Sequence, residues 1–327
     1  MKIFLSIASY QDPILPYTIK SALENAKYKR DLVLGVFDQS LNHIEVPCNV
    51  RYKTCEPRYA RGACWARSVI QKSLFNGEEI FVQVDSHTMF EKNWDANLLE
   101  KYINCLSWFD KPVITGYPPA FDVIAPKGGF FNTNEEYIFR GTTKDSDHTS
   151  VMLLHEPFKI GYHSSQRAHI IPGNKYFRGF GLAAGFIFTS GKFVEEVPYD
   201  DQIYFSGEET TLALRAFTNG WDIVHVPNIP LYHWYNTENA ELKRELHWEG
   251  HNTEELKEQK DSLIKRGQKK VDLVLQGKVG GIHGLGDKRT LSDFADFSGI
   301  DYENKMQNMD KCMFKAYENS GIEVKEC

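Results

Sequence analysis

Apolar positions in the first 120 residues follow two alternating rhythms. Lys2 to Ala8 is a short apolar run of strand formers, after which Ile19, Ala22, Leu23 and Ala26 recur at helical spacing. Asp31 to Phe37 reads as a second strand buried on both faces. Ala63, Ala66, Ile70 and Leu74 mark the inner stripe of a second helix that stops near Asn76-Gly77. Glu79 to Val84 predicts a third strand, and Pro112 to Thr115 a fourth after another helical stretch. Strands alternating with helices predict an α/β fold, a mainly parallel sheet covered on both faces. In such sheets ligands gather beyond the carboxyl ends of the strands. Asp38, Asp85 and the Ser9-Tyr10 pair fall at those ends.

Residues 121 to 180 lose this rhythm. Pro126, Gly128, Gly129, Gly141, Pro157, Gly161 and Pro172 interrupt any long element, so a loop-rich segment is expected. Leu182 to Thr189 restores a strand, Glu208 to Thr218 an amphipathic helix, and Asp222 to Val226 a further strand that leads to the aromatic run Leu231-Tyr232-His233-Trp234-Tyr235. Beyond about residue 237 the composition shifts to a charged, mostly helical stretch and then to Gly280-Gly281-Ile282-His283-Gly284-Leu285-Gly286. The expected division is therefore 1–236 and 237–327, the second part a helical extension.

Composition narrows the function. The 327 residues are 42% hydrophobic and 25% charged, enough to bury a sizeable core. A net charge of -6 argues against a general nucleic-acid binder, which needs a surface that neutralises phosphates. No run approaches the ~20 apolar residues of a membrane span, and Tyr10-Gln11-Asp12-Pro13 cuts the first apolar run too short for a signal peptide. Six scattered cysteines without a C-x-x-C pair suit reduced thiols in the cytoplasm.

The chemistry-bearing residues form a few clusters. Ile80 to Val84 ends in Asp85-Ser86-His87, which puts a carboxylate and an imidazole on one face, a donor pair suited to Mn²⁺ or a similar divalent ion. A strand-end Asp capping the next turn is the plainer account. Asp145-Ser146-Asp147-His148 is a rival metal site, or a solvated loop. Glu208 and Glu209 open a helix after Gly207, where the helix dipole alone would favour them; the functional alternative sets them against a polyhydroxyl ligand. His233 between aromatics suits a core histidine as well as a ligand. Arg58, Arg61 and Arg67 surround a helix start and suit phosphate or base recognition. His247 and His251 do not match the zinc-protease pattern, and no G-x-G-x-x-G, Walker loop or G-x-S-x-G is present.

In order along the chain stand Ser6-Ile7-Ala8-Ser9-Tyr10, Arg61-Gly62 with Trp65-Ala66-Arg67, Asp85-Ser86-His87 with Trp94-Asp95, and Pro112-Val113 with Tyr117-Pro118. Gly207-Glu208-Glu209 with Arg215, Gly220 and Pro227 follow, then His233 and Tyr235, and Gly284-Leu285-Gly286 with Arg289-Thr290-Leu291. This series resembles the polypeptide N-acetylglucosaminyltransferase family, whose eukaryotic members glycosylate hydroxyproline in the cytoplasm. Ala63 departs from it, standing where the family has proline.

The resemblance implies a GT-A fold with a nucleotide-binding half (1–120) and an acceptor half (121–236). In the extension, the glycines before Asp287-Lys288-Arg289 suit a lid that closes over a diphosphate, or an ordinary surface turn. It implies a retaining transfer from a UDP-sugar, UDP-GlcNAc first, to a hydroxyl of a protein or glycan, with Mn²⁺ as cofactor and Mg²⁺ as second choice. By position, Asp85, His87 and His233 would hold the metal. Asp38 and Arg67 would hold the uridine against a wall of Ala8, Ser9 and Tyr10. Arg61, Ser86, Ala184 and Gly185 would line the donor, Arg289 would meet its diphosphate from the lid, and Glu208 and Glu209 would carry catalysis. A non-catalytic sugar-nucleotide or glycan binder, or a transferase acting on a modified nucleic-acid base, are the alternatives.

Overall fold

A computed structural model describes residues 1–124, 138–141, 148–160, 162–235, 244, 246–247, 254–308, 315–317 and 323–324. Its strands are β1 (Ile3–Tyr10), β2 (Leu32–Gln39), β3 (Val50–Thr54), β4 (Ile80–Asp85), β5 (Thr88–Phe90), β6 (Pro112–Thr115), β7 (Phe121–Ile124), β8 (Ile138–Gly141) and β9 (His148–Ile160). They continue as β10 (His163–Pro172), β11 (Tyr176–Gly179), β12 (Phe186–Ser190), β13 (Asp222–His225), β14 (Leu231–His233), β15 (Ile300–Asp301), β16 (Met306–Gln307), β17 (Lys315–Tyr317) and β18 (Glu323–Val324). The helices are α1 (Leu15–Asn25), α2 (Ala63–Ser73), α3 (Trp94–Cys105), α4 (Lys192–Glu196), α5 (Glu208–Thr218), α6 (Glu254–Leu275) and α7 (Leu291–Ser298).

The central sheet runs β18-β17-β11-β13-β6-β12-β4-β1-β2-β3. Parallel pairing of β3, β2, β1 and β4, and of β6 with β13, makes it mainly parallel in strand direction, with β12 inserted antiparallel between β4 and β6. The sequence dictates the layers. Alternate residues of β1 point to opposite faces: Ile3, Leu5 and Ile7 pack with Leu15, Ile19 and Ala22 of α1 and Trp94 and Leu98 of α3, while Phe4 packs with Ala66 and Ile70 of α2. A third apolar cluster joins Ile187 and Ile223 of the sheet to Leu212, Leu214 and Ala216 of α5, Val271 of α6 and Phe294 of α7. No helix among the described residues is long and apolar enough to cross a membrane.

The loop-rich expectation for 121–180 gives way to strands. β9 and β10 form a long antiparallel hairpin outside the central sheet, with a register shift between His163 and Ser165. Residues 167 to 170 are all exposed, so this stretch of β10 carries no inward–outward alternation for sequence reading to detect. Asp145 and Asp147 lie outside the described residues.

Candidate active site

The carboxyl ends of β1 and β4 open onto a cavity of about 520 Å³. Ala8, Ser9, Tyr10 and Gln39 form one side of its lining, and Glu208 to Thr210 at the N-terminus of α5, with Phe205 to Gly207, form another. Asp85, Ser86, His87, Ala184, Gly185 and His233 also line it.

The local fold explains why these residues meet. β4 ends at Asp85, and the chain turns at Ser86-His87 into β5, which pairs antiparallel with β14 so that His233 stands opposite Thr88. The Trp234 N–H then donates to the His87 carbonyl at 3.0 Å. A three-residue ribbon thereby brings together side chains 148 residues apart, His233 Nε2 lying 3.1 Å from Asp85 Oδ2. His87 Nε2 is 3.8 Å from the same oxygen. One donor atom from each of Asp85, His87 and His233 lies within 4.8 Å of the other two. Space for an ion is kept by Gly185, because a Cβ there would come 2.9 Å from Asp85 Oδ2 and 3.9 Å from His233 Nε2. One carboxylate oxygen with two imidazole nitrogens is a donor set consistent with a divalent cation.

The electrostatics suit the same purpose. Burial would raise the Asp85 pKa, but the hydrogen bond with His233 and the charge of Arg67 outweigh it and hold the carboxyl well below the usual range. Burial, reinforced by Arg244, lowers His87 to about 4 against the opposing pull of Asp12. At neutral pH the ring is thus uncharged, with a nitrogen lone pair free to ligate.

Arg67 is buried on α2, with Nη2 2.7 Å from Asp85 Oδ1 and Nη1 paired with Glu208 Oε1. The guanidinium thus links a strand-end carboxylate to a helix-start carboxylate and lies over the Tyr199 ring. α2 starts at Gly62, whose φ of +95° and closeness to the Tyr204 carbonyl exclude a side chain. Ala63 is the first helical residue, where proline and alanine are both at ease. Glu209 accepts from the Ala184 N–H at 2.9 Å and from Gln166 Nε2 at 2.7 Å. Burial, helped by the neighbouring Glu208 and opposed by these hydrogen bonds, pushes its carboxyl up to about 7.

Three expected donor ligands lie elsewhere. Asp38 is buried beside the cavity, its oxygens accepting from Ser40 Oγ at 2.7 Å and Tyr52 Oη at 2.8 Å, and Gln39 rather than Asp38 lines the opening. Arg61 is exposed against the Trp65 ring. Arg289 pairs with Asp222 Oδ2 at 3.0 Å, at the start of β13, and lies over Phe217. The glycine-rich segment around it docks on the C-terminal end of α5, where Gly286 N–H donates to Thr218 Oγ1 and Arg215 holds the Ile282 carbonyl. Glu208 and Glu209 stand at the other end of that helix. Sequence reasoning missed Asp12, Gln166 and Arg244 in the cavity lining; Asp12 alone carried a signal, as a carboxylate two residues beyond the strand-end Tyr10.

The cavity thus lies at the carboxyl edge of an α/β sheet, lined by the Asp85, His87 and His233 cluster and a carboxylate pair. The model of the glycosyltransferase (GlcNAc) family matches residues 39–304. The chain belongs to that family. No protein of curated function matches the sequence. Among solved structures, S. aureus TarS is similar at 12% identity over 84% of this chain and 44% of that one, with a TM-score of 0.44. TarS 1-349 in complex with UDP-GlcNAc is similar at 12% identity over 82% of this chain and 72% of that one, with a TM-score of 0.40. The chain thus spans less than half of the longer TarS structure.

Proposed function

We propose that this protein transfers N-acetylglucosamine from UDP-GlcNAc to a hydroxyl of a protein or glycan, with retention at the anomeric carbon, in the cytoplasm. The observation that carries the reading is the convergence of Asp85, His87 and His233 on one wall of a cavity that also holds Glu208 and Glu209. Family membership supports the sugar, and the resemblance to the hydroxyproline-modifying family supports a protein hydroxyl. Asp85, His87 and His233 would hold Mn²⁺, which when bound would stabilise the negative charge that grows on the departing diphosphate.

The remaining residues bind and orient. The wall from Ala8 to Tyr10 receives the nucleoside, and Gly185 lets the donor approach Asp85 closely. Glu208 is paired with Arg67, and both oxygens of Glu209 accept hydrogen bonds. Carboxylates so engaged favour acceptor attack on the face from which the diphosphate departs, over a covalent enzyme intermediate. In that geometry Glu208 and Glu209 shape the sugar subsite, and a diphosphate oxygen takes the acceptor proton.

A panel of UDP-, GDP- and CMP-sugars with Mn²⁺ or Mg²⁺ tests the proposal by released nucleotide and product mass. UDP-GlcNAc with Mn²⁺ is expected to give the fastest turnover onto hydroxyproline peptides or glycans. A faster GDP- or CMP-sugar, or turnover indifferent to chelator, overturns it.

A further inference from the structure

The metal-ligand reading names three side chains, yet one of them is itself held by a fourth. Asp12 lies just past β1, where Gln11 adopts a φ of +45° and turns the chain back toward the end of β4. Its carboxylate is buried and accepts three hydrogen bonds. Oδ1 takes the Ile14 N–H at 2.9 Å; Oδ2 takes Ser86 Oγ at 2.6 Å and faces His87 Nδ1 at 2.7 Å. The same turn is pinned from α1, where Thr18 Oγ1 donates to the Ser86 carbonyl and accepts from the Thr88 N–H.

Resting on the proposed metal site, we infer that Asp12 is a positioning residue that fixes His87 as the Nδ1–H tautomer and so turns the bare Nε2 toward Asp85 and His233. The alternative tautomer would set an imidazole lone pair against a carboxylate oxygen at 2.7 Å, two acceptors with no proton between them. Arg244 Nη1 also stands 3.1 Å from Nδ1. A guanidinium cannot donate to a nitrogen that already carries a proton, and the carboxylate is the stronger acceptor. Nε2 is beyond hydrogen-bond reach of Asp85 at 3.8 Å, as befits a lone pair waiting for a cation. Carboxylate–imidazole pairs of this kind set the orientation and basicity of metal-ligating histidines.

Asp12→Asn is the discriminating variant. The Ile14 N–H requires an acceptor at the Oδ1 position, so the new amide oxygen is pinned there and its NH₂ faces Nδ1. The amide then donates to the ring and drives the proton to Nε2, the same tautomer reversal that an Asp-to-Asn change produces in a serine-protease triad. Two readouts are taken on the full-length protein. Ring ¹⁵N shifts of metal-free protein, assigned through His87→Gln, are expected to show Nδ1–H in the wild type and Nε2–H in Asp12→Asn. Mn²⁺ affinity, read by electron paramagnetic resonance, is expected to fall about 10- to 100-fold in Asp12→Asn with the thermal midpoint little changed. An Nε2–H wild type, or unaltered tautomer and affinity in Asp12→Asn, overturns the assignment. If the wild type shows Nδ1–H and the variant Nε2–H but neither binds Mn²⁺, the positioning role stands and the metal reading falls.

Discussion

Two carboxylates, Asp85 and Asp222, each gather arginine partners, and their surroundings give them different work. Asp222 begins β13 and receives Arg178, with Nε at 2.9 Å, and Arg289 at 3.0 Å. The guanidinium of Arg178 lies over Phe297 and that of Arg289 over Phe217. Asp85 ends β4 at the other edge of the sheet, with a single arginine, two imidazoles and a cavity before it. At Asp222 two cations share one carboxylate between aromatic rings, a tie between the C-terminal segment and the sheet. At Asp85 one oxygen is held by Arg67 and the other is turned toward two imidazole nitrogens and the cavity. Residue types do not separate these cases; the space in front of the carboxylate does.

The sharpest way to break the comparison is to remove a histidine. His87→Ala should lower Mn²⁺-dependent turnover by about 10³-fold, a few kcal/mol of lost charge stabilisation, while circular dichroism and the thermal midpoint stay near wild type. Turnover within tenfold of wild type would place Asp85 beside Asp222 as a structural carboxylate.

Asp222→Ala should do the reverse. It strands two partly exposed arginines, so a loss of about 2 kcal/mol in urea unfolding is expected, below the range for fully buried pairs. Arg289→Ala should cost about 1 kcal/mol and leave UDP affinity, measured by calorimetry, unchanged. A weakened UDP affinity without lost stability would return Arg289 to the donor site.

A further effect, read through pH, concerns Glu209. Its folded pKa of about 7 exceeds the unfolded 4.5, so the folded state holds the extra proton between those values. Stability should therefore decline as pH rises from about 4.5 to 7, by up to about 3 kcal/mol. Glu209→Gln should flatten that slope in denaturant titrations, and an unchanged slope would assign it to another group.

Sequence alone made the sheet legible because β1, β2 and β4 are buried on both faces and α1, α2 and α5 present regular apolar stripes. It made Asp85 and His87 legible because they adjoin a strand end. His233 needed the order of motifs as well, since a pairing of only three residues carries no periodicity. Sequence does not place Arg289, because an arginine after glycines has the same composition whether it meets phosphate or Asp222; the structure sets it on Asp222, with Gly286 docked on Thr218. Asp12 was overlooked because its role is a hydrogen bond to a residue 75 positions away.

The ribbon of β5 and β14 also orders events in time. Asp85 leaves the ribosome 148 residues ahead of His233, a delay of about 7 to 30 s at roughly 5 to 20 residues per second. Through that interval the nascent chain carries two donors of the cluster and lacks the third. The cluster closes only when β14 pairs with β5, so a chain released before that point carries the wall of Ala8 to Tyr10 but lacks one of the three clustered side chains.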